Sequence, residues 1–469
     1  MFIKSVIKLF KMGKKFDFEY IVIGSGPAGT SAALALAKAR KKVAIVEGEN
    51  FGGANLNTRD VPYLAGLKFS HLYYDATHAS KCGISSMNLH FNFPTAAGHQ
   101  AEIVKNVGGG DASEFEKAGI TCISGWANFI DSNTIAVGER EYSATKFIIA
   151  TGSKLSVGNI AGTDFVNFLT PEAALTSRRL PRAICIVGGG ATGCEIAEYY
   201  AKLGVKTALI ERSSRLLPRE DEEVGKVIRE YFENELGIVV LTNARVAALE
   251  KDATSKRVVF TKDNREKMVR VDTIVLATGS EPSVDLGLEN ADVHYKKSGI
   301  LVDKNFQTSA KNIYAIGDCL GGESSTDIAA LQGKYLASTL IYRVKTPISY
   351  SGIIRAVNTC PEVATVGYNE DDLIRRDKHC RKEVVYLPET NAAKIYECEK
   401  GFVKLLANKE NRLIGAVIVA PNAVVMAHEL ALAVRNRISI VDLAWMPHRA
   451  NSFSEAIQIA ATRLASRKK

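Results

Sequence analysis

The sequence predicts an α/β fold of parallel layers, because strand, glycine-rich turn and helix recur along the chain from Phe16 onward. Two units carry the pattern most fully. The first runs Tyr20-Ile-Val-Ile-Gly24-Ser-Gly26-Pro-Ala-Gly29 into an alanine-rich helix expected over Thr30 to Arg40, then a strand from Lys42 to Glu47. The second runs Ile184-Cys-Ile-Val-Gly188-Gly-Gly190-Ala-Thr-Gly193 into a helix from Cys194 to Leu203, then a strand from Lys206 to Glu211. With 469 residues, 46% of them hydrophobic, the chain has apolar material for two or three packed cores rather than one.

Each glycine of these turns has a mechanical task. The first permits the tight turn, the second lets backbone approach a pyrophosphate, and the third lets helix and strand pack closely. The free N–H groups of the following helix then face the phosphates. In both units an acid closes the second strand eighteen residues after the third glycine, Glu47 and Glu211, where a carboxylate meets an adenosine ribose. One such turn alone is a weak signal. Two, each in its strand-turn-helix context and each with its acid, predict two Rossmann-like dinucleotide sites.

Three further strands fit the same plan. Phe147-Ile-Ile-Ala150-Thr151-Gly152 and Thr273-Ile-Val-Leu-Ala277-Thr278-Gly279 end in small residues, as strands do where backbone passes close to a cofactor or a neighbouring domain. Ile313-Tyr-Ala-Ile-Gly317-Asp318 ends in an acid able to accept hydrogen bonds from sugar hydroxyls. Taken singly, each reads as a turn closing a core strand.

Composition limits the function classes. The eight cysteines have no CxxC or CxxxxC spacing and read as reduced thiols, with no metal site expected. The net charge of +9 owes five lysines to the first fifteen residues, leaving about +4 on the body. That body has no basic stripe interleaved with aromatics, so a nucleic-acid partner is not expected. No secretory signal or membrane-spanning stretch is legible, so a cytoplasmic location is expected. Within residues 1–15, Phe2, Ile3, Val6, Ile7, Leu9 and Phe10 share one helical arc while Lys4, Lys8, Lys11 and Lys15 share the other. Such a basic amphipathic extension offers peripheral contact with an anionic membrane. A disordered basic tail, or a start at Met12, is the competing reading.

These motifs, in this order, resemble the pyridine nucleotide-disulfide oxidoreductase family, which includes dihydrolipoamide dehydrogenase, glutathione reductase and mercuric reductase. The resemblance runs from about residue 18 to 465 and adds the loop Gly52 to Asn57. It also adds Thr359-Cys-Pro361-Glu362-Val-Ala-Thr-Val-Gly367, Gly401-Phe-Val-Lys-Leu and Leu413-Ile-Gly415-Ala-Val-Ile-Val, which match the family's homodimerisation domain. It implies an FAD-binding domain over 16–156 and 286–347, an NAD(P)H-binding domain over 157–285, and a C-terminal α+β dimerisation domain over 348–469. FAD contacts carry over to Gly24, Gly26, Gly29, Glu47, Gly53, Ala127, Thr151, Gly152, Asp318 and Thr326. Contacts with the nicotinamide nucleotide carry over to Gly188, Gly190, Gly193, Glu211, Val246 and Gly279. The acid Glu211 favours NADH, although Arg212 and Arg215 stand close enough in sequence to serve the 2′-phosphate of NADPH.

The resemblance breaks at the family's reacting groups. Its motif after the glycine pair, threonine, Cys, Leu, Asn, two residues, Cys, one residue, Pro, Ser, Lys, here reads Ala54-Asn55-Leu56-Asn57-Thr58-Arg59-Asp60-Val61-Pro62-Tyr63-Leu64. Leu56, Asn57 and Pro62 fix the register. Asn55 and Asp60 therefore stand where the redox cysteines would be, and Leu64 where a flavin-contacting lysine would be. Near the C-terminus the run His-Pro-x-x-Ser-Glu is Ala450-Asn451-Ser452-Phe453-Ser454-Glu455, so the acid Glu455 survives without its histidine. Glu195, matching the glutamate that pairs with the lost lysine, is left without its cation. His448 lies two residues from the lost position, a substitute base or an ordinary interface histidine. Cys319 and Cys360 are the nearest thiols, each also readable as a core cysteine.

Disulfide reduction needs a thiolate, a partner thiol and an acid-base group. The expected activity is instead that of an FAD-dependent NAD(P)H oxidoreductase which passes electrons directly to a small acceptor such as a quinone. A flavoprotein without turnover, and a disulfide reductase using other cysteines, are the alternatives. Asp60 is the leading catalytic candidate, as a carboxylate relaying protons beside the flavin; it reads equally as the cap of the helix entered through Pro62. A homodimer is the expected assembly.

Overall fold

A computed structural model describes residues 16–85, 88–177, 179–322, 325–344 and 346–467. The basic segment 1–15 lies outside the described residues. The chain divides into two compact units. One comprises the residues up to Pro62, Ala101–Ser156 and Ser280–Ile348; the other comprises Tyr63–Gln100, Val157–Gly279 and Ser349–Lys469.

In the first unit the strands Thr121–Ser124, Val43–Glu47, Phe18–Ile23 and Arg140–Ile149 lie side by side in that order. The strand Ile313–Ala315 adds a further parallel partner on the far side of Phe147–Ile149. The lower half of Arg140–Ile149 turns antiparallel, pairing with Thr134–Val137, which pairs with Ala127–Asp131. The central strands are buried on both faces, so they read as unbroken apolar runs, as parallel strands covered by helices do. Two helices, Pro27–Lys38 and Thr326–Tyr342, pack closely against each other. The approach demands Gly333, where a Cβ would come within 2.3 Å of the Ala28 carbonyl oxygen.

The second unit repeats the parallel plan with the strands Val239–Leu241, Lys206–Ile210, Ala183–Val187 and Thr273–Leu276 and the helix Ala191–Lys202. It also holds the antiparallel ribbon Arg245–Lys251, Lys256–Lys262 and Arg265–Val271, and a five-stranded antiparallel sheet. That last sheet runs Ile354–Val357, Glu362–Gly367, Leu413–Ala420, Phe402–Ala407, Arg381–Tyr386, with Ala423–Arg435 and Glu455–Ser466 sharing its core.

The fully buried Lys404 of this sheet is held by Asp221 at 2.9 Å, Glu223 at 3.0 Å and Glu370 at 3.2 Å. Burial alone would depress its pKa, but the three carboxylates outweigh that and hold the ammonium charged. These carboxylates lie close enough to one another to hold a metal ion, and the cation bonded to all three is this lysine. Among the described residues no helix is long and apolar enough to cross a membrane.

Both fingerprint helices begin three residues earlier than the sequence pattern places them, at Pro27 and Ala191 rather than Thr30 and Cys194. The third glycine therefore sits inside the first helical turn. Burying that turn against the strand's end, with no side chain intervening, is what makes glycine acceptable at a helical position.

Candidate functional site

The two glycine turns are geometric duplicates. Gly24 and Gly188 have φ of +103° and +113°, and a Cβ on either would strike the carbonyl oxygen of Ala150 or Ala277 at 2.3 and 2.2 Å. Those small-residue strand ends are fixed by Ala150 N–H donating to Ile23 O and Ala277 N–H to Val187 O, both at 2.8 Å. Gly29 and Gly193 press on the preceding turn, since a Cβ would reach the Gly24 or Gly188 carbonyl oxygen at 1.9 and 1.8 Å. Gly26 and Gly190 differ from the others: a Cβ on either meets nothing within 4 Å.

Gly26 and Gly190 are also the N-caps of helices that have no capping side chain and no acid in the first turn. Open space over a glycine, beside the unsatisfied N–H groups and positive dipole end of a helix, is the shape and charge a pyrophosphate requires. The residues present thus fit one dinucleotide at each turn.

The two acids repeat the duplication. Glu47 accepts from the Ser25 N–H at 2.9 Å, the Ser25 hydroxyl at 2.5 Å and the Glu49 N–H at 3.0 Å. Glu211, 5% exposed, accepts from the Gly189 N–H at 2.6 Å and the Ser213 N–H at 2.7 Å. Each carboxylate is aimed back over its own glycine turn. The Ala244 N–H donates to the Glu211 carbonyl at 3.0 Å, and two residues on Val246 enters the antiparallel ribbon opposite Phe260. Gly279, at φ +106°, closes the neighbouring strand with open space around it.

Arg215 is tied up elsewhere: its Nη2 donates to the Glu220 carbonyl at 3.1 Å and pairs with Asp371. Arg215 is thus committed to a protein carboxylate, whereas Arg212, next to the acid, is at the surface.

Around the first turn the remaining predicted contacts assemble. Gly53 lies against Gly26, where a Cβ would come within 2.7 Å of the Gly26 Cα. The loop is held by Ser25, whose hydroxyl accepts from the Gly52 N–H at 3.0 Å, and by Asn57, which donates to the carbonyls of Phe51 and Gly53. Ala127 opens its strand as a buried residue. The preceding Trp126, 71% exposed, lies against Gly48, where a Cβ would meet its ring at 2.6 Å. Trp126 therefore walls the acid's end of this site, a placement no local sequence motif signals.

Thr151 donates to the Ser283 carbonyl at 2.7 Å, Gly152 accepts from the Ser283 N–H at 3.0 Å, and Ser153 donates to Asp318 Oδ2 at 3.1 Å. Burial raises the Asp318 carboxyl above the usual carboxylate range, against the opposing effects of the Ser153 hydrogen bond and nearby Arg59. Asp318 faces a cavity of about 330 Å³ lined with Ser153, Ser156, Glu281 and Lys297 among others.

Asn55 and Asp60, where the resemblance puts the family's thiols, lie close together. The Thr326 hydroxyl donates to Asp60 Oδ2 at 2.5 Å and lies 3.3 Å from Asn55 Oδ1, so one hydroxyl links the two positions. Thr326 is placed by its helix, whose Gln332 accepts from the Gly317 N–H at 2.7 Å and whose Gly333 rests on Ala28. Asp60 is exposed and is the first residue of the helix Asp60–His78, which starts two residues before Pro62; its carboxylate reaches across to a different helix.

The other candidates lie in the second unit, apart from Cys319 in the first. Glu195 is 5% exposed and accepts from the N–H and the side-chain amide of Asn358 at 2.6 and 3.0 Å. The expected orphan carboxylate is thus matched by two neutral donors, while Leu64 is 48% exposed. Glu455, at the start of its helix, accepts from the Asn451 N–H at 3.3 Å, and Ala450 is exposed.

His448 stands between the Met446 carbonyl at 3.0 Å and Glu429 at 3.2 Å, and the bond to Glu429 raises its pKa. Both ring nitrogens thus face acceptors, an arrangement that suits imidazolium rather than a free base. Burial pushes the Cys319 thiol up to about 12 and the Cys360 thiol up to about 11, although Cys360 reaches the surface. Neither environment favours a thiolate.

Residues 18–333 match the pyridine nucleotide-disulphide oxidoreductase family, and residues 353–461 match the dimerisation domain of that family. Dihydrolipoyl dehydrogenase of Bacillus subtilis (strain 168) is 30% identical over 458 residues, covering 95% of this chain and 96% of the relative. Mercuric reductase of Bacillus cereus is 27% identical over 432 residues, covering 91% of this chain and 68% of that protein. The crystal structure of LpdA from Mycobacterium tuberculosis superposes with a TM-score of 0.85 at 28% identity, covering 95% of this chain and 99% of that one. The HOCl-induced flavoprotein disulfide reductase RclA from Escherichia coli, at 22% identity and a TM-score of 0.84 over 95% of this chain and 99% of that one, shares the fold.

Proposed function

Because this chain belongs to the pyridine nucleotide-disulphide oxidoreductase family, whose members bind FAD and NAD(P)H, we propose that it oxidises NADH and delivers the electrons from flavin directly to a small quinone-type acceptor, without a dithiol relay. The observation that carries this reading is a contrast between the cofactor turns and the positions of the thiols. Both glycine turns keep their open cradles and their acids, while the two thiol positions hold Asn55 and Asp60 joined through the Thr326 hydroxyl.

FAD, when bound, supplies the two-electron chemistry. Overall, NADH and one proton give NAD⁺ and two reducing equivalents, and the quinone takes up two electrons and two protons to become a hydroquinone. The chain's own residues bind, orient and move protons. Gly26 and Gly190 admit the pyrophosphates, and Glu47 and Glu211 hold the adenosine riboses. Asp318 accepts from sugar hydroxyls, and Asp60, exposed and bonded to Thr326, is the carboxylate that passes protons to the acceptor. NADH is favoured over NADPH because Glu211 repels a 2′-phosphate while Arg215 is committed to Asp371.

In this reading residues 16–156 and 286–347 serve FAD, 157–285 serve NADH and 348–469 serve dimerisation. The raised thiol pKa values of Cys319 and Cys360 argue against a disulfide reductase built on other cysteines. Steady-state turnover with NADH and a panel of acceptors tests the proposal. Quinones are expected to sustain turnover and lipoamide is not. Turnover on lipoamide would return the protein to dithiol chemistry, and failure of every acceptor would make it a flavoprotein without turnover.

A further inference from the structure

Three charged side chains meet beside the first glycine turn, and one of them has no counterpart in the motif carried over from the family. Arg59 lies between the substituted positions, half-buried, with its Nη2 donating to the Ser153 carbonyl at 3.3 Å. The hydroxyl of that same Ser153 donates to Asp318 Oδ2 at 3.1 Å. Asp60, the next residue, turns its carboxylate onto Thr326.

Replacing a neutral thiol by Asp60 puts a second carboxylate near Asp318, whose ionised form burial already disfavours. Like charges in one partly desolvated pocket are costly unless a cation shares it. Arg59 is within electrostatic reach of Asp318 and lowers its pKa, whereas Asp60 raises it. The lysine that would supply a cation is Leu64, exposed and apolar.

We propose that Arg59, joined to Asp318 through Ser153, is the positioning cation of the flavin site, offsetting the carboxylate at Asp60 so that Asp318 keeps its place as acceptor for the cofactor's sugar hydroxyls. Its planar guanidinium suits the task, because its fork of donors can serve the Ser153 carbonyl while presenting a cation to the carboxylates. Arg59 and Asp60 then form a compensated pair, a cation added together with the anion that needs it. The inference rests on the proposed FAD site but not on the identity of the acceptor.

The test compares Arg59→Gln, Arg59→Lys, Asp60→Asn and the double variant Arg59→Gln/Asp60→Asn as purified holoproteins. Two quantities are read without any acceptor: the FAD dissociation constant and the flavin midpoint potential against a reference dye. Arg59→Gln is expected to weaken FAD binding about tenfold, the scale of one lost charge interaction in a partly buried site, and to lower the potential. Arg59→Lys recovers most of both, and adding Asp60→Asn to Arg59→Gln returns both close to wild type.

Wild-type affinity and potential in Arg59→Gln would overturn the proposal. So would a double variant no better than Arg59→Gln, because a merely structural arginine would lower the melting temperature of the apoprotein and gain nothing from removal of a neighbouring charge. Absence of quinone turnover in the wild-type protein, with the variants shifting both quantities as expected, would count against the acceptor reading alone.

Discussion

Asp318 shows how one residue can trade stability for function. Its folded-state pKa is raised, chiefly by burial, so the folded chain holds this proton more tightly than the unfolded chain does. As pH rises through the window between the two values, the unfolded chain ionises first and stability falls; below that window the penalty is absent. Asp318→Asn is therefore expected to raise the melting temperature of the apoprotein at neutral pH, to leave it unchanged in acid, and to weaken FAD binding. Melting curves across that pH range check this, and a variant that melts lower at neutral pH contradicts it.

At this scale the sequence was legible where the demand on a residue is local and illegible where its partner is distant. The roles of Gly24 and Gly188 follow from their own turns. The pairing of Glu195 with Asn358 spans 163 positions, and nothing in either neighbourhood announces it. The same holds for Asp371, which occupies Arg215 from 156 positions away. The resemblance left Glu195 without its lysine, and the fold brings the two Asn358 donors to it.

At the scale of elements, the two strand-turn-helix units are superposable in logic and separable in function. Placing a methyl group at Gly193 drives it to 1.8 Å from the Gly188 carbonyl oxygen, so the helix must shift away from its strand. Overpacking of this kind costs about 1–3 kcal/mol. Gly193→Ala is expected to purify with FAD bound but to lose at least about tenfold in the rate at which NADH reduces it, since the displaced helix end is the proposed phosphate site. Rapid anaerobic mixing reads that rate; an unchanged rate would mean that this turn does not serve the nucleotide.

The existence and order of these units were readable because steric requirements at each glycine are strict. Their helix starts were misplaced by three residues because the fingerprint's last glycine resembles a turn residue but is packed as a helical one. In the helix Thr326–Tyr342 the resemblance marked Thr326 as a cofactor contact but gave no sign of its link to the loop. Only its packing through Gly333 brings Thr326 to Asn55 and Asp60.

For the whole molecule, we propose that an inherited fold carries altered chemistry. The family match covers both dinucleotide units and the dimerisation domain, and relatives near 30% identity span almost the full chain. In the proposed reading, Asn55, Asp60, Leu64 and Ala450 stand where the resemblance puts the dithiol relay and its base, whereas both glycine turns keep their open cradles.

Electron counting separates the two outcomes most directly. A flavin alone stores one electron pair, and a flavin coupled to a redox disulfide stores two. Anaerobic titration of the purified holoprotein with NADH, followed by flavin absorbance, should reach full reduction at one NADH per flavin. An end point at two NADH per flavin would show a dithiol in circuit and contradict the account.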